Sequence, residues 1–335
     1  MGLERWSSRL DQTERADPTD RIRLIGFPRT KHRPQGRFFV SSPLSLVIAL
    51  RHCYLSHRYV AYPHYFYLVK FHLKTVQTEK LFSLSVFYLP STKGVTMYTR
   101  VSYGNGPIIL SVPHDGKIAF PEAAIREEAK LWIARNWGEM RDEETLILAR
   151  HLERELGTRG VYASTVSFGL HRSHVDVNRE PDNEPFAKGF VKEYEMFHRA
   201  LDLAIELSLT EFGECLLIDV HGFATSPGPE KYDIVLGTDR HKTCRLGLDK
   251  TIARHLGNVR SEVLGRPYKA VFSPDETQNI SARYRGGWIT RRVAEKYGQH
   301  GLEAIQLEFN THIRQKPLMA EVANHLAFIL AGWPG

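Results

Sequence analysis

Short apolar runs recur through the last two thirds of the chain, at 107–112 (PIILSV), 161–168 (VYASTVSF), 215–220 (CLLIDV), 232–236 (YDIVL) and 303–309 (EAIQLEF). Runs of this length, bounded by turn residues, suit buried strands. Between them the period changes. Residues 143–156 place Leu148, Leu152 and Leu156 at i, i+4 and i+8, and residues 186–208 align Phe190, Tyr194, Phe197, Leu201, Ala204 and Leu207 on one stripe. Two more helical patterns cover 245–257 and 317–332, the second with Leu318, Val322, Leu326 and Leu330 in register. Strands alternating with helices predict an α/β domain with a mixed or mostly parallel sheet. Ligands of such sheets bind at the carboxyl ends of the strands.

Residues 1–100 read differently. The first 35 are polar, and the segment RHCYLSHRYVAYPHYFYLVKFHL carries no sustained period. We expect a poorly organised basic N-terminal extension over 1–100 and a catalytic domain over 101–335. A start near Met97 and an accessory module are the other readings of that segment.

Charge sharpens this division. The net charge of +7 is concentrated in the first hundred residues, with about 16 Lys/Arg against about 6 Asp/Glu, and the remainder is slightly acidic. A nucleic-acid partner would therefore concern the extension alone, where Tyr and Phe are interleaved with basic residues. The three cysteines, Cys53, Cys215 and Cys244, are sparse and lack any CxxC pair. They argue against a disulfide framework and against a thiolate zinc site, so a metal would be held by His and carboxylates. The polar start shows no secretory signal. The longest apolar run, 38–50, is shorter than the roughly 20 residues that span a bilayer. A cytoplasmic protein without membrane contact is the expectation; nothing in the sequence addresses its oligomeric state.

Candidate chemistry gathers at strand ends. His114 follows one predicted strand in SVPHDG, and His221 follows another in CLLIDVHGF. If both strands run parallel in one sheet, both imidazoles emerge on one edge, where they could ligate a metal; a role in a turn or core is the plainer alternative. Asp219, two residues before His221, shares its strand face and could orient the imidazole or be buried beside it for another reason. HRSHVDVNRE at 171–180 crowds Arg172, Asp176, Asn178 and Arg179 together, which suits either an anion grip or a solvated loop. In AIQLEFN, Gln306, Glu308 and Asn310 alternate with Ile305, Leu307 and Phe309. On an edge strand that polar row would face water. On a central strand Glu308 would stand as a carboxylate at the sheet's functional end, suited to general-base work. RYRGGWITRR at 283–292 reads as a loop with a helix start. There is no phosphate-binding GxxxxGK[ST], GxSxG elbow or HExxH helix.

Taken in order, Pro113-His114-Asp115-Gly116, Asp142 in MRDEETLILARHL, RSHVDVNR, DVHG, GGWITR and QLEFN resemble the N-formylglutamate amidohydrolase family, a relative of the zinc carboxypeptidase-like deacylases. The resemblance covers about 230 residues and implies a three-layer α/β/α sandwich with a mixed, mostly parallel sheet and one zinc ion at the strand ends. It implies His114 and His221 as metal ligands with an acidic third ligand, for which Asp142 is the candidate and Glu122 and Glu143 are alternatives. It further implies Glu308 as general base, Arg172 facing the carbonyl oxygen, and Asn178, Arg179 and Arg291 as substrate-binding residues. The chain departs from the family after the Glu308 strand, where it reads FNTHIRQKPLM, and this leaves the substrate open. The expected activity is zinc-dependent hydrolysis of the amide bond of an N-acyl amino acid, N-formylglutamate being one candidate. A zinc carboxypeptidase or deacylase with a larger substrate, and a non-enzymatic binding protein using the basic segment, are the alternatives.

Overall fold

The computed structural model describes residues 58–62, 65–76, 79–90, 98–120, 125–134, 141–224, 232–273 and 284–333, the first three ranges and 132–134 as backbone alone. Its strands are β1 (Arg58–Tyr62), β2 (Tyr65–Val76), β3 (Glu79–Pro90), β4 (Thr99–Tyr103), β5 (Ile108–Val112), β6 (Ser164–Phe168), β7 (Cys215–Phe223), β8 (Ile234–Gly237), β9 (Ala270–Ser273) and β10 (Leu302–Asn310). Its helices are α1 (Glu127–Ala134), α2 (Thr145–Gly157), α3 (Val191–Phe212), α4 (Leu248–Asn258), α5 (Trp288–Tyr297) and α6 (Leu318–Leu330).

All described strands join one sheet, in the order β1-β2-β3-β4-β6-β5-β7-β10-β8-β9. Its centre, β6-β5-β7-β10, is parallel. Antiparallel pairs flank that centre, β4 against β6 and β8 against β10, and β9 runs parallel to β8. Residues 58–62, 65–76 and 79–90, where the pattern predicts no regular element, form β1, β2 and β3, paired antiparallel in sequence order.

The period-2 alternation sends successive residues to opposite faces. On one face Ile108, Leu110, Leu216, Ile218, Val220, Ile305, Leu307 and Phe309 pack against α2, α4 and α6. On the other, Ile109, Val166, Leu217, Leu302 and Ala304 pack against α3 and α5. Two helical layers thus enclose a mixed sheet, the α/β/α sandwich expected. This second face changes character along the strands. Its apolar half ends at Leu217 and Ala304. From there Asp219 and His221 on β7, and Gln306, Glu308 and Asn310 on β10, continue the same face as buried polar residues. β10 lies between β7 and β8, so its polar row faces the protein and not water. Burying such groups is unfavourable unless each finds a partner.

Differences from the pattern have local causes. β7 extends to Phe223 because β10 pairs with it along its whole length, so His221 is a residue of the strand rather than of the turn after it. GGWITRR is the start of a full helix, α5. Gly286 has a φ of +114°, which an L side chain rarely adopts. At Gly287 a Cβ would stand 2.1 Å from the Asn178 side chain. The two glycines therefore admit the turn and the close approach that precede α5. Cys215 and Cys244 are buried and unbridged. No described helix is long and apolar enough to cross a membrane.

Candidate metal centre

His114 leaves β5 through Pro113 and is buried. Its carbonyl accepts the backbone N–H of Asp142 at 3.0 Å, which fixes the chain entering α2 beside β5. Asp115 holds the same junction from the other side, accepting the Leu146 N–H at 3.0 Å near the start of α2, where no local side chain caps the helix. With His221 supplied by β7, three side chains converge. The Asp142 Oδ2 atom is 3.3 Å from His114 Nδ1 and 3.1 Å from His221 Nδ1. The two rings lie 4.8 Å apart, nearly perpendicular. One donor atom from each residue falls within 4.8 Å of the other two.

The opposite edge of each imidazole decides its tautomer. His114 Nε2 is 2.8 Å from Asp176 Oδ1, and His221 Nε2 is 2.9 Å from Asp219 Oδ2. A proton on each Nε2 is donated to a buried carboxylate, and a lone pair is left on each Nδ1. Two such lone pairs and a carboxylate oxygen, turned on one point at 3.1–3.3 Å, repel one another unless a positive charge stands among them, either a metal ion or, without one, a second proton on an imidazole Nδ1 donated to Asp142. Two imidazoles and one carboxylate fit a divalent cation of the zinc type, with further positions left for water or substrate. The same crowding shows in the titration of the groups. Burial favours neutral His221, yet the carboxylates of Asp219 and Asp142 hold it well above its ordinary range. Burial opposes ionisation of Asp142, yet the two imidazoles hold it far below the usual carboxylate range. Of the other acidic candidates, Glu122 lies outside the described residues. Glu143 points elsewhere, its half-exposed carboxylate accepting from Arg141 Nη2 at 2.7 Å.

Asp176 is the hub of the surround. Its carboxylate is fully buried; beyond His114 it accepts from Arg172 Nε at 2.8 Å and Arg179 Nε at 3.0 Å, and Arg126 Nη2 lies at 3.7 Å. Burial opposes its ionisation, but the charges of Arg172 and His114 hold it well below the usual range. Arg172 reaches toward the centre, with Nη1 3.9 Å from Asp142 Oδ1. Asn178 is fixed by the Ile289 N–H, donated to its Oδ1 at 2.9 Å, and its Nδ2 stands 3.3 Å from His221 Nε2. Gln306 joins this loop to β10. Its Oε1 accepts the Gly287 N–H at 2.6 Å, and its Nε2 donates to Glu308 Oε1 at 2.7 Å. Glu308 is buried and paired in register with His221. Burial raises its pKa, His221 opposes that rise, and the charge of Asp142 adds to it. Arg291 stands further out, one-third exposed, with Nη2 3.1 Å from Glu180 Oε1.

The structure therefore brings His114, Asp142 and His221 together, with Arg172, Asn178 and Glu308 beside them, while Arg291 sits at the margin. Sequence reasoning gave no role to Asp176, Gln306, Arg126 or Glu128. For Asp176 a signal existed, since D-x-N is the spacing of an Asx turn, and the Asn178 N–H donates to Asp176 Oδ1 at 3.1 Å. Arg126 and Glu128 carry no local signature.

Comparison with known proteins follows the same line. The N-formylglutamate amidohydrolase family model matches residues 188–313, a stretch that includes His221, Arg291 and Glu308. Among solved structures, N-formylglutamate amidohydrolase from Ralstonia eutropha JMP134 is similar at a TM-score of 0.51 and 15% identity, over 70% of this chain and 96% of that one. A gene product of Agrobacterium tumefaciens is similar at 0.48 and 14%, over 70% and 94%. No curated protein matches the chain. The chain thus resembles the N-formylglutamate amidohydrolase family in sequence over 188–313, and it has the fold of the Ralstonia protein.

Proposed function

We propose that the chain is a metal-dependent amidohydrolase that takes zinc and cleaves the amide bond of an N-acyl amino acid, with N-formylglutamate the first substrate to test. The observation that carries this reading is the pair of imidazoles whose Nε2 atoms are tied to Asp176 and Asp219 while their Nδ1 atoms face Asp142 Oδ2. His114, His221 and Asp142 would hold the ion. When bound, zinc supplies a Lewis acid for the amide carbonyl and makes water more acidic.

The remaining steps belong to the chain's own residues. Glu308 takes a proton from the attacking water and returns it to the leaving amine nitrogen. Its buried position raises its affinity for that proton. Arg172, held by Asp176 and directed toward Asp142, stabilises the negative charge that develops on the carbonyl oxygen. Asn178 and Arg179 hold the substrate carboxylate, with Arg291 at the outer edge of that subsite. In this reading residues 101–335 carry the catalysis and the basic segment 1–100 is an extension. The nucleic-acid alternative rests on basic side chains that, Arg100 apart, lie outside the described residues.

The test is metal analysis of the purified full-length protein, paired with hydrolysis of formyl-, acetyl- and succinyl-amino acids and short peptides before and after chelation. One equivalent of metal and chelator-sensitive release of free amine are expected. Undiminished hydrolysis with metal at background would end this reading.

A further inference from the structure

The guanidinium of Arg179 is already gripped. Its Nη1 and Nη2 donate to Oε2 and Oε1 of Glu128 at 2.6 and 2.7 Å, the parallel two-bond fork by which arginine takes a carboxylate. Glu128 stands in the first turn of α1, outside every motif used above. Its surroundings are rich in positive charge. Arg126 Nη1 is 3.5 Å from the same Oε2. The Arg126 side chain is wholly buried, and neither of its terminal nitrogens makes a hydrogen bond. Arg126, Arg172 and Arg179 thus share two carboxylates, Asp176 and Glu128. Asp176 is 0% exposed, whereas the Glu128 side chain is 33% exposed and that of Arg179 is 27%. Of the two carboxylates, Glu128 is the one that solvent and solutes reach.

We infer that Glu128 occupies the place a substrate carboxylate takes on Arg179, and so sets the enzyme's preference between acids and their neutral analogues. The inference rests on the proposed role of Arg179 in holding that carboxylate. An acid must displace Glu128 from the fork, and the gain from its own charge is offset by the bonds Glu128 loses. An amide in the same place neither competes for the fork nor benefits from its release. Glu128→Gln keeps the side chain's size and removes the competing charge.

The experiment uses the metal-loaded protein and two probes that need no turnover, L-glutamate and its diamide, in which both carboxylates are amides, followed by calorimetry. Glu128→Gln is expected to tighten L-glutamate binding by about fivefold or more while the amide changes by less than about twofold. Glu128→Ala is expected to act in the same direction. Adding Arg179→Gln to Glu128→Gln is expected to abolish the gain. Equal changes for acid and amide, a gain that survives loss of Arg179, or no binding of L-glutamate to any form would overturn the inference. Hydrolysis of N-formyl substrates, measured separately, distinguishes the two readings. The acid-specific shift without hydrolysis would sink the amidohydrolase reading and leave Glu128 in place. Hydrolysis without the shift would do the reverse.

Discussion

Glu308 and His221 are register partners on the adjacent parallel strands β10 and β7, and both turn to the face covered by α3 and α5. One residue is assigned a proton and the other a ligand position, so their substitutions should separate. Glu308→Gln should lower kcat by about 10²–10⁴-fold with metal content unchanged. His221→Ala should abolish both. Parallel metal analysis and kinetics check this; loss of metal from Glu308→Gln would contradict it.

Asp219 accepts the Nε2 proton of His221. Asp219→Asn replaces the charged acceptor with an amide and frees the ring to turn. Metal affinity should fall by about 10–100-fold, read by competition with a chromogenic chelator. Unchanged affinity would show that strand geometry alone orients His221.

Gly287 leaves no room for a Cβ beside Asn178. Its φ is −83°, so alanine costs nothing in backbone conformation. The clash falls on the Asn178 amide and on its bond to the Ile289 N–H. Gly287→Ala should therefore raise KM for acid substrates while destabilising the fold by only about 1–3 kcal/mol. A variant with ordinary KM would show that Asn178 moves without consequence.

His198 on α3 is buried between Tyr194 and Phe197. Burial and the charge of Arg292 push its pKa down to about 3, against the opposing charge of Asp202. The unfolded chain therefore binds a proton near pH 6.5 that the folded chain refuses. The stability linked to this residue is complete above pH 6.5 and is lost as pH falls from there toward 3. By pH 5 the loss is about 2 kcal/mol. Denaturant unfolding at pH 7 and pH 5 should show a smaller difference for His198→Phe than for the parent. Equal differences would place the sensitivity elsewhere.

The strands and helices with a clear period were legible in the sequence, as was the alternation of apolar and polar residues along AIQLEFN. β9 was not, because four residues at a sheet edge carry too little pattern. Of α5 only the start was legible, because the reason for its glycine pair appears only when the closeness of Asn178 is known. His114, His221 and Glu308 stand out in the sequence because each sits in a short motif tied to a strand, whereas Asp142 is singled out only through the family resemblance. The partners that fix them stand out less. Glu128 meets Arg179 across 51 residues of chain, and only the folding of α1 against the 171–180 loop brings them together.

Asp176 is shared between His114 and the guanidiniums of Arg172 and Arg179. A ligand that draws either arginine away from it changes the charge His114 feels, and an ion on His114 changes how tightly Asp176 holds those arginines. Linkage makes the effect reciprocal: whatever free energy an occupied centre lends to an incoming acid, that acid returns to the retention of the ion.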